Sequence, residues 1–263
     1  MLSRLFAALL VLVLFFTALS SWMEKLASSS VVEKPAKISG VIKKPILPTK
    51  ILFKSSQDSE LYTPVQKQNS GSYPLHRNIV ATYFYVGELA GPDNDFISNT
   101  KSAWDGAWEK HFGGVDDPAH RNGYWPAGFK PKENPFYFAL PYGEFDEVGL
   151  KANAKTVYWY DKNLPLGKSL LKNRWVKISR AGKVCYAQWE DVGPNDSDDV
   201  NYVFGSAKSK NTFGLRAGID LSPAVRDFLD LGDSGKVSWQ FVNDADVPPG
   251  PWKQIVTTSN PSW

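Results

Sequence analysis

Hydrophobic and polar positions divide the chain into three parts. Residues 5–19 form a nearly uninterrupted apolar run. From residue 28 to 78, single apolar residues are scattered among Lys, Ser, Pro and Gln without a helical or strand period. Over residues 79–263, short β-branched and aromatic stretches alternate with Gly, Pro, Asn and Asp. The pattern therefore predicts a signal peptide or membrane anchor within residues 1–27, a flexible tether over 28–78 and one folded domain over 79–263.

The apolar run has the features of an export signal, because Arg4 precedes it and polar and charged residues follow it. It is longer than a typical signal-peptide core and shorter than the roughly 20 residues that span a bilayer, so cleavage and retention are both open. No well-placed A-x-A cleavage motif is present, which favours retention as an anchor over residues 5–23. No cysteine directly follows the run, which excludes a lipoprotein anchor. The sequence predicts an exported protein of the periplasm or cell surface, attached to the membrane if this segment is uncleaved.

The tether differs in charge from the folded domain. Residues 31–78 contain eight basic and three acidic residues, a net charge of +5. Residues 79–263 contain 20 basic and 23 acidic residues, a net charge of −3. A basic segment beside a membrane or an anionic wall layer is attracted to it. A merely solvated linker explains the same composition equally well.

Six stretches of the folded domain have the composition of β-strands. They cover residues 79–86, 135–140, 156–160, 174–179, 183–190 and 236–242. A hairpin turn is expected at residues 181–182. The spacing of aromatic and alanine positions predicts a helix over 98–112, and Ser222 as an N-cap predicts a second helix that ends at Gly232. Several short strands with few helices are typical of a small β-barrel.

Composition excludes several classes of protein. With 43% hydrophobic and 22% charged residues, the chain can bury an ordinary core, which excludes a fibrous or wholly disordered protein. A net charge of only +3 argues against a nucleic-acid partner. The single cysteine, Cys185, can form neither an intramolecular disulfide nor a cysteine-based zinc site. No cofactor is predicted.

Two polar clusters were weighed as metal sites. The oxygen-rich stretch 195–199 lacks the ordered ligand spacing of a known calcium loop, so a solvated turn is the preferred interpretation. His111 and His120 enclose Asp116 and Asp117, but their spacing fits no established zinc pattern. We predict no metal site.

Three short motifs occur in an order that resembles the rare lipoprotein A type of double-psi β-barrel. They are LPLG at 164–167, EDVGP at 190–194 and IDLS at 219–222. The resemblance covers about residues 134–242, and residues 93–132 would be an aromatic-rich insertion. It implies a mainly β, six-stranded double-psi barrel with one or two short helices, related to expansins and barrel-type lytic transglycosylases. A cell-wall polysaccharide such as peptidoglycan is then the implied partner.

Asp191 is the candidate general acid. It follows a predicted strand and precedes a Val-Gly-Pro turn, a place where a side chain can point out of a barrel mouth. A carboxylic acid whose pKa is raised by aromatic neighbours could protonate a glycosidic oxygen. The resemblance implies the same place, since the equivalent aspartate of the family lies in its active groove. The alternative is that Asp191 accepts hydrogen bonds from the backbone of the turn.

In the resembled family, a histidine upstream of the aspartate completes the site. This chain has no histidine at the matching position. The matching strand, residues 138–142, reads FALPY, and Tyr142 is the substitute hydrogen-bond donor. The resemblance to lytic transglycosylases implies that one carboxyl suffices, because the sugar's own 6-hydroxyl can attack. Hydrolysis would need a second carboxylate, for which Asp105, Glu88 and Asp220 are candidates. Asp220 is expected instead to accept hydrogen bonds at a helix start.

Five aromatic residues are predicted to stack on sugar rings, whose flat faces carry apolar C–H groups. They flank the segments that would line the barrel mouth: Trp104, Tyr124, Trp125, Tyr142 and Trp189. Most other tryptophans are expected in the core, under an insertion that forms a lid or wall.

The sequence thus predicts an exported envelope protein that binds a cell-wall glycan. Two versions are left open, namely an enzyme resembling a lytic transglycosylase or glycosidase and a non-catalytic, expansin-like binding module. A third alternative is an envelope adaptor whose groove receives a peptide, since a fold does not fix a function.

Overall fold

The computed structural model describes residues 73–94 and 96–262, without the side chain of Asp93. The predicted signal or anchor and most of the predicted tether lie outside these residues. Within the described part of the chain, no helix combines the length and apolar character that a bilayer span requires.

Strands dominate the described residues. They are β1 (His76–Tyr83), β2 (Arg121–Asn122), β3 (Trp125–Pro126), β4 (Tyr137–Leu140), β5 (Phe145–Asp146), β6 (Gly149–Leu150), β7 (Trp175–Arg180), β8 (Lys183–Val192), β9 (Ile219–Leu221) and β10 (Gly235–Val242). The α-helices are short: α1 (Trp108–Phe112), α2 (Val200–Val203) and α3 (Pro223–Phe228). Single 3₁₀ turns cover Pro92–Asn94, Ala152–Thr156, Asp244–Asp246 and Pro251–Lys253.

Six of the strands close into a barrel in the order β1, β10, β7, β8, β4, β9 and back to β1. Two neighbouring pairs, β1 with β9 and β4 with β8, are parallel, and the other four pairs are antiparallel. The predicted fold class, a mainly β protein with a six-stranded barrel and few short helices, is confirmed. The barrel includes β1, which precedes the predicted core of residues 134–242.

The hairpin of β7 and β8 forms as predicted. Its two turn residues, Ala181 and Gly182, have φ angles of 48° and 83°. Two positive φ angles in a two-residue turn match the right-handed twist of the flanking strands. This turn fixes the register in which Trp175 pairs with Gln188.

The barrel interior is filled by alternate residues of its longest strands. Along β8 and β10 the buried interior side chains are Cys185, Ala187, Trp189, Val237, Trp239 and Phe241. The rings of Trp189 and Phe241 stack at a centroid distance of 5.8 Å. Period-two burial therefore organises the core, as expected for strands with one apolar face.

A second apolar cluster lies on the outside of the barrel wall. Tyr137 and Ala139 of β4 alternate with interior residues and pack with Trp108 and Phe112 of α1. Full burial of a side chain such as Phe112 contributes about 1.5–3 kcal/mol. The segment between β1 and β4 thus packs on the outer face of β4. This packing places Ala103 of the segment against Asp191 of β8.

Two predicted elements are wrong. Residues 156–160 form no strand; the neighbouring residues Tyr158 and Trp159 both contact the ring of Phe204 instead of alternating between two faces. The helix predicted over 98–112 is limited to α1. Ser102 and Asp105 exchange backbone hydrogen bonds instead, and the Asp105 side chain accepts from Ala107 N, a local alternative to helix.

The ends of other elements also differ from the prediction. Residues 73–78, assigned to the tether, lie in the folded domain, where the Tyr73 hydroxyl donates to Asn243 Oδ1 at 3.0 Å. Ser222 caps α3 as predicted, since its Oγ accepts from Val225 N at 3.3 Å. The helix already ends at Phe228, before Gly232.

Candidate functional site

Four residues occupy one row across four neighbouring barrel strands. Ala139 of β4 pairs with Asp191 of β8 on one side and with Asp220 of β9 on the other. Asp220 in turn pairs with Thr82 of β1. Directly paired residues place their side chains on the same face of a sheet. The two aspartates therefore flank the Ala139 methyl group, with their Cα atoms about 10 Å apart, which is two strand spacings.

A β-bulge sets the direction of Asp191. Phe138 pairs with Trp189, but the next residue, Ala139, pairs with Asp191, so Glu190 is an extra residue in β8. Without the bulge, Asp191 would share the face of Trp189, which is inside the barrel. The extra residue turns Asp191 to the outer face, which it shares with Ala139.

Asp191 is 9% exposed, and backbone amides hold its carboxyl group. Its Oδ1 accepts from Ala103 N at 2.7 Å and from Val192 N at 2.8 Å. Burial raises the pKa of Asp191 to about 7 against the lowering effect of these two bonds, and the charge of Asp220 adds to the rise. The predicted turn-bracing role is thus present beside the raised pKa that acid catalysis needs.

Asp220 forms the second half of the pair. Its Oδ1 accepts from the Thr82 hydroxyl. Burial raises the pKa of Asp220 to about 6, and the negative charge of Glu88 adds to the rise. The prediction that Asp220 serves a helix start is wrong: it lies within β9, and Ser222 provides the helix cap.

The two other predicted carboxylates have different surroundings. Glu88 accepts from Asn99 Nδ2 at 2.7 Å, and burial raises its pKa. Its influence on Asp220 places it beside the pair. Asp105 is 1% exposed and accepts from Ala107 N, His111 Nδ1 and Ser262 Oγ. These bonds give Asp105 a structural role in the insertion, and its catalytic role stays a prediction.

Three of the predicted stacking residues are core residues. Trp189 is buried because the bulge leaves it on the inner face. Trp104 packs edge-on against Trp189, and its Nε1 donates to Glu144 Oε2 at 3.0 Å. Tyr142 is buried, and its hydroxyl donates to Asn153 Oδ1 at 3.0 Å. In this structure the three rings are buried, so none of them offers a face to solvent.

Tyr124 and Trp125 are half-buried and lie at the β2–β3 hairpin of the insertion. The ring of Tyr124 contacts Phe136 at 5.4 Å and Phe228 of α3 at 5.5 Å. Stacking of these two rings on a sugar stays a prediction.

An open depression of about 600 Å³ lies beside Val192, at the end of β8. Its lining residues are Ile97, Val192, Asn195, Asp196, Ser197 and Phe213. Val192 directly follows Asp191 in the chain, while Ile97 and Phe213 are 49% and 65% exposed. Sequence analysis missed these two apolar residues, because both lie in polar, Gly-containing loops that carry no periodic signal.

The clusters weighed as metal sites have separate internal partners. His111 Nδ1 lies 2.7 Å from Asp105 Oδ2, and His120 Nδ1 lies 2.6 Å from Asp117 Oδ2. In the stretch 195–199, Asp198 N donates to Asp196 Oδ1 at 2.8 Å. Among residues 73–94 and 96–262, no three His, Cys, Asp or Glu side chains are grouped to hold a metal ion.

Comparison with known proteins shows a likeness to solved structures. No protein-family model matches the chain, and no curated protein matches it. Among solved structures, the chain is similar to the Streptomyces papain inhibitor, at 15% sequence identity and a TM-score of 0.28. The match covers 65% of this chain and 97% of that chain. The barrel assignment rests on the strand order itself.

Proposed function

We propose that this protein is an exported enzyme that binds a peptidoglycan-like cell-wall glycan and cleaves it with Asp191 as the general acid. The observation that carries the proposal is the pairing of Asp191 and Asp220 with the same residue, Ala139, on the outer wall of the barrel. Two carboxyl groups on one face supply both the general acid and the second carboxylate that hydrolysis of a glycosidic bond requires. The depression beside Val192 supplies room for the polymer.

The two pKa values divide the roles. With a pKa of about 7, Asp191 is partly protonated at neutral pH and can give its proton to the glycosidic oxygen as the C–O bond breaks. With a pKa of about 6, Asp220 is mostly ionised at neutral pH and can accept the proton of an attacking water. Together, these two proton transfers hydrolyse the glycosidic bond. Attack by the sugar's own 6-hydroxyl is the lytic alternative, in which the now ionised Asp191 takes up the hydroxyl proton and Asp220 stabilises the positive charge that develops on the sugar.

The sequence motifs support a family assignment within the proposal. LPLG at 164–167, EDVGP at 190–194 and IDLS at 219–222 resemble the rare lipoprotein A type of double-psi barrel. The closed six-stranded barrel supports this resemblance at the level of architecture. The apolar run 5–19 supports export to the periplasm or cell surface, with residues 5–23 as an anchor if they are retained.

A non-catalytic binding module is the second candidate. It is favoured by the two hydrogen bonds that Ala103 N and Val192 N give to Asp191 Oδ1, since these make the carboxyl a brace between the insertion and β8. In this version, the exposed apolar side chains of Ile97 and Phe213 hold the polymer and no bond is broken.

Digestion of purified wall polymer by the full chain tests the proposal. Mass spectrometry of the products distinguishes new reducing ends, which indicate hydrolysis, from anhydro-sugar ends, which indicate lytic cleavage. Retention of the polymer without products supports the binding module. Absence of both retention and products contradicts the proposal.

The role of the depression beside Val192 is tested in the same assay with Phe213→Ser. This change removes an apolar wall and should weaken retention of the polymer at least about threefold. Val148→Ser, at a position that is 94% exposed and outside the lining of this depression, is the matched control and should leave retention unchanged.

A further inference from the structure

We infer that a second depression of the folded domain, lined by Lys101, Lys110 and Lys132, is a binding site for a phosphate-bearing ligand. Its volume is about 490 Å³, within the range of small-ligand sites. Thr100 and Glu109 also line it. The inference is independent of the proposed glycan cleavage, because it rests on a different set of residues.

Three separate segments bring the lysines together. Lys101 directly precedes the turn in which Ser102 and Asp105 exchange backbone hydrogen bonds. Lys110 lies on α1. Lys132 is tied to the end of α1, because its backbone N donates to Phe112 O at 2.8 Å. The fold thus brings three positive charges from separate segments to one depression.

The three ammonium groups have no internal counter-charge. Within the described residues, no hydrogen bond or ion pair involves the Nζ atom of Lys101, Lys110 or Lys132. Lys172 and Lys253, by contrast, pair with Glu190 and Asp244. Clustered like charges repel one another, and the depression contains one carboxylate, Glu109, against three lysines. An anion that enters it removes this repulsion.

The chemistry of the lining favours phosphate over carboxylate. The depression contains no arginine, so an anion that enters it meets only lysine ammonium groups as cationic partners. Lysine binds phosphate as a point charge, and a group with two or more negative charges can approach several ammonium groups at once. The folded domain from residue 79 on is net negative, so this depression is a local exception on its surface.

The depression and the aspartate pair share one short segment. Thr100, Lys101, Gly106 and Ala107 line the depression, and Ala103 between them donates its N–H to Asp191. Because the depression lies near the proposed cleavage site, its phosphate can be part of a wall polymer. A free metabolite that carries phosphate has the same chemistry. The shared chemistry is the phosphate, and separate probes distinguish the two sources.

Calorimetric titration of the full chain with inorganic pyrophosphate is the direct test. We expect saturable binding at low ionic strength that weakens as salt is added. Lys101→Ala, Lys110→Ala and Lys132→Ala, combined in one variant, should raise the Kd at least about tenfold. Glu109→Gln should lower the Kd, because it removes the opposing charge. Titration with poly(glycerol phosphate) shows whether a polymer-borne phosphate binds more tightly than the free anion.

A matched variant controls for net charge. Lys155→Ala, Lys162→Ala and Lys177→Ala together remove the same charge from exposed positions outside the depression and should leave the Kd unchanged. Absence of pyrophosphate binding by the unmodified chain overturns the inference. Equal weakening in the two triple variants also overturns it, since that result indicates unspecific attraction. Either outcome leaves the glycan-cleavage assay unaffected.

Discussion

Asp191 of β8 and Asp220 of β9 both pair with Ala139 of β4, so a single methyl group lies between two carboxyl-bearing strands. The relationship depends on the bulge at Glu190, which turns Asp191 from the inner to the outer face of the barrel. Burial raises the pKa of both carboxyl groups, and the charge of Asp220 raises that of Asp191 further. The outer face of the barrel wall therefore holds two buried carboxyl groups that interact electrostatically.

The acid pair should make stability depend on pH. Both folded-state pKa values, about 7 and about 6, are higher than the ordinary aspartate pKa of 3.8. The folded state then binds more protons than the unfolded state, so stability is fully present below about pH 4 and is lost as the pH rises through 6 to 7. In Asp191→Asn with Asp220→Asn this loss should disappear, so the variant gains stability relative to the parent between pH 4 and 8.

Urea denaturation at several pH values measures this difference in free energy of unfolding. Comparison of the two proteins cancels the contribution of other groups such as His76, whose pKa burial lowers to about 4. Asp233→Asn, at an exposed position, is the control and should run parallel to the parent. Parallel curves for the double variant would show that the two carboxyl groups do not carry raised pKa values.

Thr82 is expected to tune Asp220. Its hydroxyl donates to Asp220 Oδ1 and lowers the pKa of that carboxyl against the effect of burial. Thr82→Val keeps the shape and removes the donor, so the pKa of Asp220 should rise. If Asp220 must be ionised for hydrolysis, the acidic limb of the kcat/KM profile moves to higher pH.

The measurement is the pH profile of glycan cleavage by Thr82→Val. The matched control is Thr156→Val, whose hydroxyl donates to Asn153 O at an exposed site. An unchanged acidic limb in Thr82→Val contradicts the base role of Asp220 and favours lytic cleavage with Asp191 alone.

Ser222 should contribute to stability without taking part in chemistry. Its Oγ accepts from Val225 N and from Tyr137 N, each at 3.3 Å, and so joins α3 to β4. Ser222→Ala should lower the free energy of unfolding by about 1–2 kcal/mol. Thermal or urea unfolding checks this, with the exposed Ser206→Ala expected within about 0.5 kcal/mol of the parent. A loss no larger than that of Ser206→Ala contradicts the capping role.

Local signals predicted the parts of the fold that depend on neighbouring residues. The turn at 181–182 and the cap at Ser222 are set by φ angles and hydrogen bonds within a few residues, and both were predicted. Asp191 was singled out because a turn motif follows it. Residues 156–160 have strand composition, but Tyr158 and Trp159 both contact the distant Phe204, which no local signal shows.

The remainder of the site depends on pairing between distant strands. A bulge is invisible in the sequence of β8, so Trp189 was expected at the mouth although it lies in the core. Asp220 was read as part of a helix start, because a three-residue strand, β9, has no periodicity to reveal it. Its position opposite Ala139 follows only from barrel closure.

The most direct test of the central claim is the turnover of wall glycan by Asp191→Asn. The amide oxygen can still accept from Ala103 N and Val192 N, so the fold and the retention of polymer should persist. Loss of the transferable proton should reduce turnover at least about 100-fold at neutral pH, while Asp233→Asn retains full turnover. Full turnover by Asp191→Asn would contradict the assignment of Asp191 as the general acid.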